Sequence, residues 1–308
     1  MLKAIKNRFS GEIAQNFGTS MKNLLTGRFD TYIDIAPIIS FFFGWTTGYN
    51  FVARRVPAIY EEILKKYSEG DHVNFAGIRV PKPSNAGPEE LRMFVGEFLD
   101  IINPVLSGHP NYLGEGPYEY GDVKIEKGDV VIDAGANMGM FAALAASKGA
   151  VVYAFEPVEK IRKTYLAKTA QMNPDIRIVP MALADKNGLA DMHLDEKNSA
   201  AASMIFKKNG GVEKDVQCTT LDSFVEQNAI SRVDFIKMDI EGAERLMLAG
   251  AQNVLKRHAP KLSICTYHLP DDKEALSALI RQLNPAYDIR LRWQKLYAAV
   301  SGRGNRPA

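Results

Sequence analysis

The stretch VVIDAGANMG, residues 131–140, begins as buried strand and ends as a glycine-spaced turn. Asp133 stands at the strand end, with Gly135 and Gly139 behind it. An acid, bare backbone and the free N–H groups of a following helix suit a charged small ligand at the carboxyl edge of a parallel sheet. Three ligand chemistries compete for such a turn. A phosphate-gripping loop ends in Gly-Lys-Ser/Thr, and GANMGM contains no lysine. A dinucleotide turn needs glycines in G-x-G-x-x-G, but those places hold Gly135, Asn137 and Met140. The third chemistry is S-adenosylmethionine, which lacks phosphate. Its ammonium suits Asp133, and its carboxylate suits the helix N–H groups. Glu156 closes the next apolar run, AVVYAFEP, as a carboxylate for two ribose hydroxyls. An acid about 20 residues past the turn serves NAD or an adenosyl ribose alike, so the missing glycine selects the cofactor.

Such residues need a sheet to hold them. From residue 129 onward, β-rich runs (DVVIDAG, AVVYAFE, IRIVPMALA, VDFIKMDI, KLSICTYH) alternate with helical patterns, the rhythm of βαβ units around a parallel sheet. YDIRLRW (287–293) and KLYAAV (295–300) lie too close for a crossover helix and must pair antiparallel. Five parallel strands and a C-terminal antiparallel hairpin resemble the Rossmann-like class I methyltransferase sheet of the α/β class. Residues 184–232 read less regularly, with a short strand in ADKNGLADMHL and a short helix in TLDSFVEQN. Residues 1–110 form a mainly helical N-terminal region and residues 111–308 the catalytic domain. The helical region contains candidate helices over 53–67 and over 88–102, where Leu91, Phe94, Val95, Phe98 and Ile102 share a face. Residues 103–122, rich in glycine, proline and tyrosine, read as a connecting loop. Tyr118 and Tyr120 there either cover core surface or border the active site.

Basic side chains number 38 against 36 acidic, a net charge of +2, which supplies no electrostatic footprint for nucleic acid. Two cysteines, Cys218 and Cys265, make no disulfide framework, and a reducing cytoplasmic location is expected. IDIAPIISFFFGW (33–45) is too short to span a bilayer and carries Asp34 and Pro37. It reads as buried core; a peripheral membrane or subunit contact through Phe41, Phe42 and Phe43 is the alternative.

The segments VVIDAGANMGMFAALAA, VYAFEP, PMALAD, TLDSF, VDFIKMDIEGAE and LSICTYH resemble the FkbM-type family of S-adenosylmethionine-dependent methyltransferases, over about Tyr118 to Val300. The resemblance implies methyl transfer to a hydroxyl, often on a sugar, polyketide or other natural-product scaffold. It implies a methionine-end site at Asp133, Gly135, Asn137 and Gly139, a ribose anchor at Glu156, and an adenine-side segment from Ala182 to Asp185. The chain departs from the family pattern at Thr266, where many members carry an acid, and at Trp293, where a histidine is commoner.

A hydroxyl acceptor gains from a positioned base. His268, ending the fifth strand, is the first candidate, because a free imidazole titrates near neutrality. Asp239, ending the fourth strand, either orients His268, touches substrate or caps the next helix. Lys237 either serves catalysis or pairs with an acid on the cleft floor. Glu241 and Glu244 read as charges favouring the start of that helix. A divalent ion held by Asp239 and a neighbouring acid is an alternative, but no compact His/Cys spacing supports it, and metal is left out of the reading. Two rivals stand beside this reading: a non-catalytic adenosyl-binding scaffold and a nucleic-acid methyltransferase.

Overall fold

A computed structural model of the chain describes residues 45–83, 87–107, 115–195 and 201–301. The segment with Phe41, Phe42 and Phe43 lies outside them. The chain divides into two compact units, one of residues 1–68 and 83–116, the other of residues 69–82 and 117–308.

In the first unit, α1 (Trp45–Tyr67) contains Pro57 inside the helix, and α2 (Pro88–Glu97) starts on proline, whose fixed φ suits the first turn. A π-helical turn, Phe98–Ile102, and α3 (Asn103–Ser107) follow. The two longer helices meet through aromatic edges, Tyr60 on Phe94 with centroids 5.7 Å apart. All five residues expected to share a face in 88–102 are buried.

The second unit opens with strands where the sequence reads as helical. Strands β1 (Ser68–Glu69), β2 (His72–Phe75) and β3 (Ile78–Pro81) form a small sheet. Ala76 and Gly77, at φ 55° and 99°, make the tight turn between β2 and β3. Two left-handed residues match the twist of a hairpin, which favours glycine there. Val73, Phe75, Ile78 and Val80 alternate inward, and that period of two was readable.

A mixed seven-stranded sheet forms the centre, in the order β12-β13-β11-β10-β4-β5-β6. Strands β4 (Val130–Ala134), β5 (Val151–Phe155), β6 (Ile176–Val179), β10 (Phe235–Met238) and β11 (Lys261–Cys265) run parallel. The hairpin β12 (Tyr287–Arg292) and β13 (Lys295–Val300) adds to β11 antiparallel, around a turn with Trp293 at φ 53°. Every residue of β10 and β11 is buried, as expected of strands covered on both faces, including the polar Lys237, Lys261 and Ser263. Ile132, Ile236, Met238, Leu262, Ile264 and Leu296 lead the main core.

The less regular stretch forms a second small sheet, β7-β9-β8, from β7 (Ala182–Leu183), β8 (Gly188–His193) and β9 (Val212–Thr219). Helices α4 (Met140–Ser147), α5 (Glu159–Ile161), α6 (Ala167–Met172), α7 (Leu221–Gln227), α8 (Glu244–Ala249), α9 (Gln252–Arg257) and α10 (Asp272–Leu283) complete the unit. Thr220 caps α7 by accepting the Ser223 N–H at 3.0 Å. No described helix is long and apolar enough to cross a membrane.

Candidate active site

The strand order sets the carboxyl ends of β5, β4, β10 and β11 side by side. Asp133, Glu156, Asp239 and His268 therefore lie along one sheet edge. The backbone N–H groups of Gly135 and Ala136 both donate to Phe155 O, hanging the turn after β4 on the end of β5.

Glu156 is buried, and both its carboxylate oxygens serve backbone. Oε2 accepts the Asn137 N–H at 3.0 Å and Oε1 the Val158 N–H at 2.9 Å. Asn137 adopts a left-handed φ of 49° in that turn. Burial pushes the Glu156 carboxyl up to about 7, against the downward pull of those N–H groups, Lys237 and Arg162. The unfolded chain therefore releases this proton at lower pH than the folded one. Stability contributed by the protonated form is complete below about 4.5, falls as pH rises, and is gone above about 7. Thermal unfolding followed from pH 5 to 8 should show this fall in the wild type and a flattened slope in Glu156→Gln; equal slopes would contradict it.

The two glycines of the turn have packing reasons. A Cβ on Gly135, at φ 79°, would sit 2.0 Å from Asp239 O, and one on Gly139, at φ 87°, would meet Leu166 Cδ1 at 2.8 Å. Packing therefore requires bare backbone at both positions, whatever approaches the turn. Gly135 lets the β4 and β10 strand ends close on each other, and Gly139 lets α4 settle against the segment through Leu166 and Thr169.

Asp133 also differs from its expected role. It is fully buried, beside Lys237 in register, with Lys237 Nζ 3.1 Å from Oδ1. The ammonium also donates to Gly135 O at 2.5 Å and Ala134 O at 3.3 Å. Burial works against its charge, yet Asp133 and Asp239 hold Lys237 protonated. Burial likewise pushes the Asp133 carboxyl up while Lys237 pulls it down. The pair locks the strand ends from within: Asp133 is not an open partner for an ammonium, and Lys237 keeps its proton.

Asp239 is the more open carboxylate, its side chain 23% exposed. Its oxygens accept hydroxyl protons from Tyr118 at 2.8 Å and Tyr267 at 3.1 Å. Burial opposes its charge, but Lys237, His268 and Lys295 hold it below the usual carboxylate range. Tyr118 thus meets both sequence readings, packing edge-on against Phe141 while its hydroxyl reaches the site. Tyr120 and Trp293 instead pack edge-on against each other at 5.4 Å in a cluster with Tyr297.

His268 sits among acids. Nδ1 is 3.0 Å from Glu244 Oε1, and Nε2 is 3.6 Å from Asp239 Oδ1 and 3.8 Å from Glu241 Oε1. Burial disfavours its charge, but Glu241, Glu244 and Asp239 outweigh it and push the imidazole up to about 10. An imidazole held protonated by these acids must give up that proton before it acts as a base. Glu241 and Glu244 do more than favour a helix start: Glu244 Oε1 accepts the Ile240 N–H at 3.0 Å, and both acids flank the ring.

A loop unmarked in the sequence completes the rim. Ser203 Oγ donates to Glu241 O at 2.6 Å, Lys208 lies 3.6 Å from Glu241 Oε2, and the Phe206 ring covers Gly242. Of the residues expected on the adenine side, Ala182 is buried with Val158 and Ile161, opposite Cys218, while Asp185 is exposed just beyond. Ala182 therefore presents no open side chain.

The family described as the Methyltransferase FkbM domain matches residues 133–291. The chain belongs to this family. This FkbM-domain protein is an S-adenosylmethionine-dependent methyltransferase. It is 25% identical over 201 residues to the 31-O-demethyl-FK506 methyltransferase FkbM of Streptomyces tacrolimicus, covering 52% of this chain and 77% of that one. A crystal structure of methyltransferase FkbM from Methylobacillus flagellatus KT is similar at 20% identity and a TM-score of 0.46, over 82% of this chain and 60% of that one. A SAM-dependent methyltransferase from Aquifex aeolicus is similar at 12% identity and a TM-score of 0.34, over 58% and 86% of the two chains.

Proposed function

We propose that this FkbM-domain methyltransferase, built on a Rossmann-like class I sheet, methylates a hydroxyl of a small natural-product or glycan acceptor. The carrying observation is the paired arrangement at the sheet edge: a buried carboxyl at Glu156 beside the glycine turn, and an open carboxylate at Asp239 ringed by hydroxyls. The name of the Streptomyces relative places an oxygen as the methylated atom of its own acceptor, which supports the same atom type here.

The residues fit S-adenosylmethionine better than a phosphate cofactor. Lys237, on the floor of this edge, is committed to Asp133 and the Gly135 carbonyl. Each Glu156 oxygen accepts one backbone N–H and keeps capacity for a ribose hydroxyl. Gly135, Asn137 and Gly139 give the turn its shape, and Asp185 stands beyond β7 for the adenine side. When bound, the cofactor supplies a methyl on a sulfonium, whose carbon–sulfur electron pair returns to sulfur as the acceptor oxygen takes the methyl and passes its proton to Asp239.

Asp239 receives the acceptor hydroxyl and aligns it, with Tyr118 and Tyr267 fixing the carboxylate. Lys237 acts through Asp133 and Asp239 as a positioning residue, and His268 holds the far side of Asp239. A cytoplasmic location accords with Cys218 and Cys265 being buried thiols outside any disulfide among the described residues. Incubation with S-adenosylmethionine and a panel of hydroxylated metabolites and glycans, followed by mass spectrometry, tests the proposal. Gain of one methylene on an acceptor oxygen is expected; methylation confined to nitrogen, carbon or nucleic acid would overturn it.

A further inference from the structure

We propose that Asp239, Glu244 and His268 form a binding site for a first-row divalent cation, of the Mn2+ type, beside the acceptor position. The inference deepens the proposed methyl transfer and rests on that reading for its purpose, though not for its geometry.

The three side chains come from different places in the fold. Asp239 follows β10, Glu244 opens α8, and His268 lies in the loop after β11. Because β10 and β11 are parallel neighbours, their carboxyl ends deliver Asp239 and His268 to one spot. The turn through Glu241 and Gly242, with φ of 53° and 96°, reverses the chain so that Glu244 returns to the same spot. One ligand atom from each of the three lies within 4.8 Å of the others. Around an ion with bonds of about 2.1 Å, ligand atoms lie about 3–4 Å apart. His268 reaches Glu244 through Nδ1 at 3.0 Å and Asp239 through Nε2 at 3.6 Å, so an ion takes one of these two nitrogens and the carboxylates close on it from that side.

Hydrogen bonding among these side chains does not account for the cluster. Neither ring nitrogen of His268 makes an aligned hydrogen bond, although its side chain is only 4% exposed. Glu244 Oε2 is likewise buried without a hydrogen bond, on a side chain 1% exposed. A buried polar atom left without an aligned hydrogen bond costs about 1–3 kcal/mol, a cost that a ligand at the buried side of the cluster would offset. An imidazole offers at most two protons, too few for directed bonds to the carboxylates of Asp239, Glu241 and Glu244 together. A cation bound by one imidazole nitrogen and carboxylate oxygens would satisfy them from a single point.

The donor set narrows the ion. One nitrogen with carboxylate oxygens suits Mn2+ or a similar transition ion better than the all-oxygen shells of Mg2+ and Ca2+. Glu241 stands at the margin, 3.8 Å from the ring and tied to Lys208, so it would tune the site's charge from outside. An ion beside Asp239 would lower the pKa of an acceptor hydroxyl docked there, easing loss of its proton as the oxygen–methyl bond forms.

Asp239 with a neighbouring acid reads in the sequence as a candidate ion site, but His268 joins them only through the pairing of β10 with β11.

The test is a titration of chelator-treated full-length protein with MnCl2, in the absence of S-adenosylmethionine and any acceptor. Calorimetry and electron paramagnetic resonance should report one bound ion in the wild type. Asp239→Asn and His268→Gln should each weaken Mn2+ binding at least tenfold, with circular dichroism unchanged. If a variant fails to fold, the rise in wild-type melting temperature on adding Mn2+ remains a readout, and it should be reversed by chelator. No binding at millimolar Mn2+, or binding that Asp239→Asn leaves unchanged, would overturn the site. Either result leaves methyl transfer itself untouched, because cofactor affinity and turnover are measured separately.

Discussion

Replacing Lys237 with Met should destabilise the catalytic domain by about 3–5 kcal/mol, the range for removing one member of a buried ion pair. The side chains of Lys237 and Asp133 are 5% and 0% exposed, and the ammonium also bonds to the Gly135 carbonyl. Methionine fills similar space but leaves Asp133 buried without its cation. Two apolar replacements avoid that penalty, so adding Asp133→Leu to Lys237→Met should restore much of the loss. Chemical denaturation followed by circular dichroism measures both. A neutral single variant, or a double variant that loses the sum of two large penalties, would show that the pair does not lock the strand ends.

Asp239→Asn should lower methyl transfer by about 10²–10⁴-fold, the range for losing a positioned proton-handling group. The side chain is 23% exposed and joins no apolar core, so the fold should tolerate the change. Asparagine keeps one oxygen for Tyr118 or Tyr267 but loses the negative charge that Lys237, His268 and Lys295 sustain. Cofactor affinity should change little, because the ribose is assigned to Glu156. Production of S-adenosylhomocysteine with a competent acceptor reads the rate, and calorimetry reads the affinity. Undiminished turnover would remove Asp239 from the reaction.

The sheet was legible because β4, β10 and β11 are almost wholly buried and read as short, mainly apolar runs, broken by Asp133, Lys237, Lys261 and Ser263. The last hairpin was legible from geometry alone, since two residues cannot carry a crossover. The hairpin of β2 and β3 was missed although Val73, Phe75, Ile78 and Val80 alternate, because it sits among strong helical patterns. In the site, strand ends located Asp133, Glu156, Asp239 and His268, but their environments were hidden. Asp133 meets Lys237 only through the register of β4 on β10. His268 reads as a free imidazole until the turn at Gly242 brings Glu241 and Glu244 against it. Gly135 likewise reads as room for a ligand, and only the fold puts Asp239 O against it.

The central claim is that Glu156 anchors the cofactor's ribose. Titration calorimetry of S-adenosylmethionine into the wild type and Glu156→Ala tests it most directly. Losing two ribose hydrogen bonds, each worth about 0.5–1.5 kcal/mol, should weaken binding by about tenfold. Equal affinity in the two proteins, with both folded, would contradict the account.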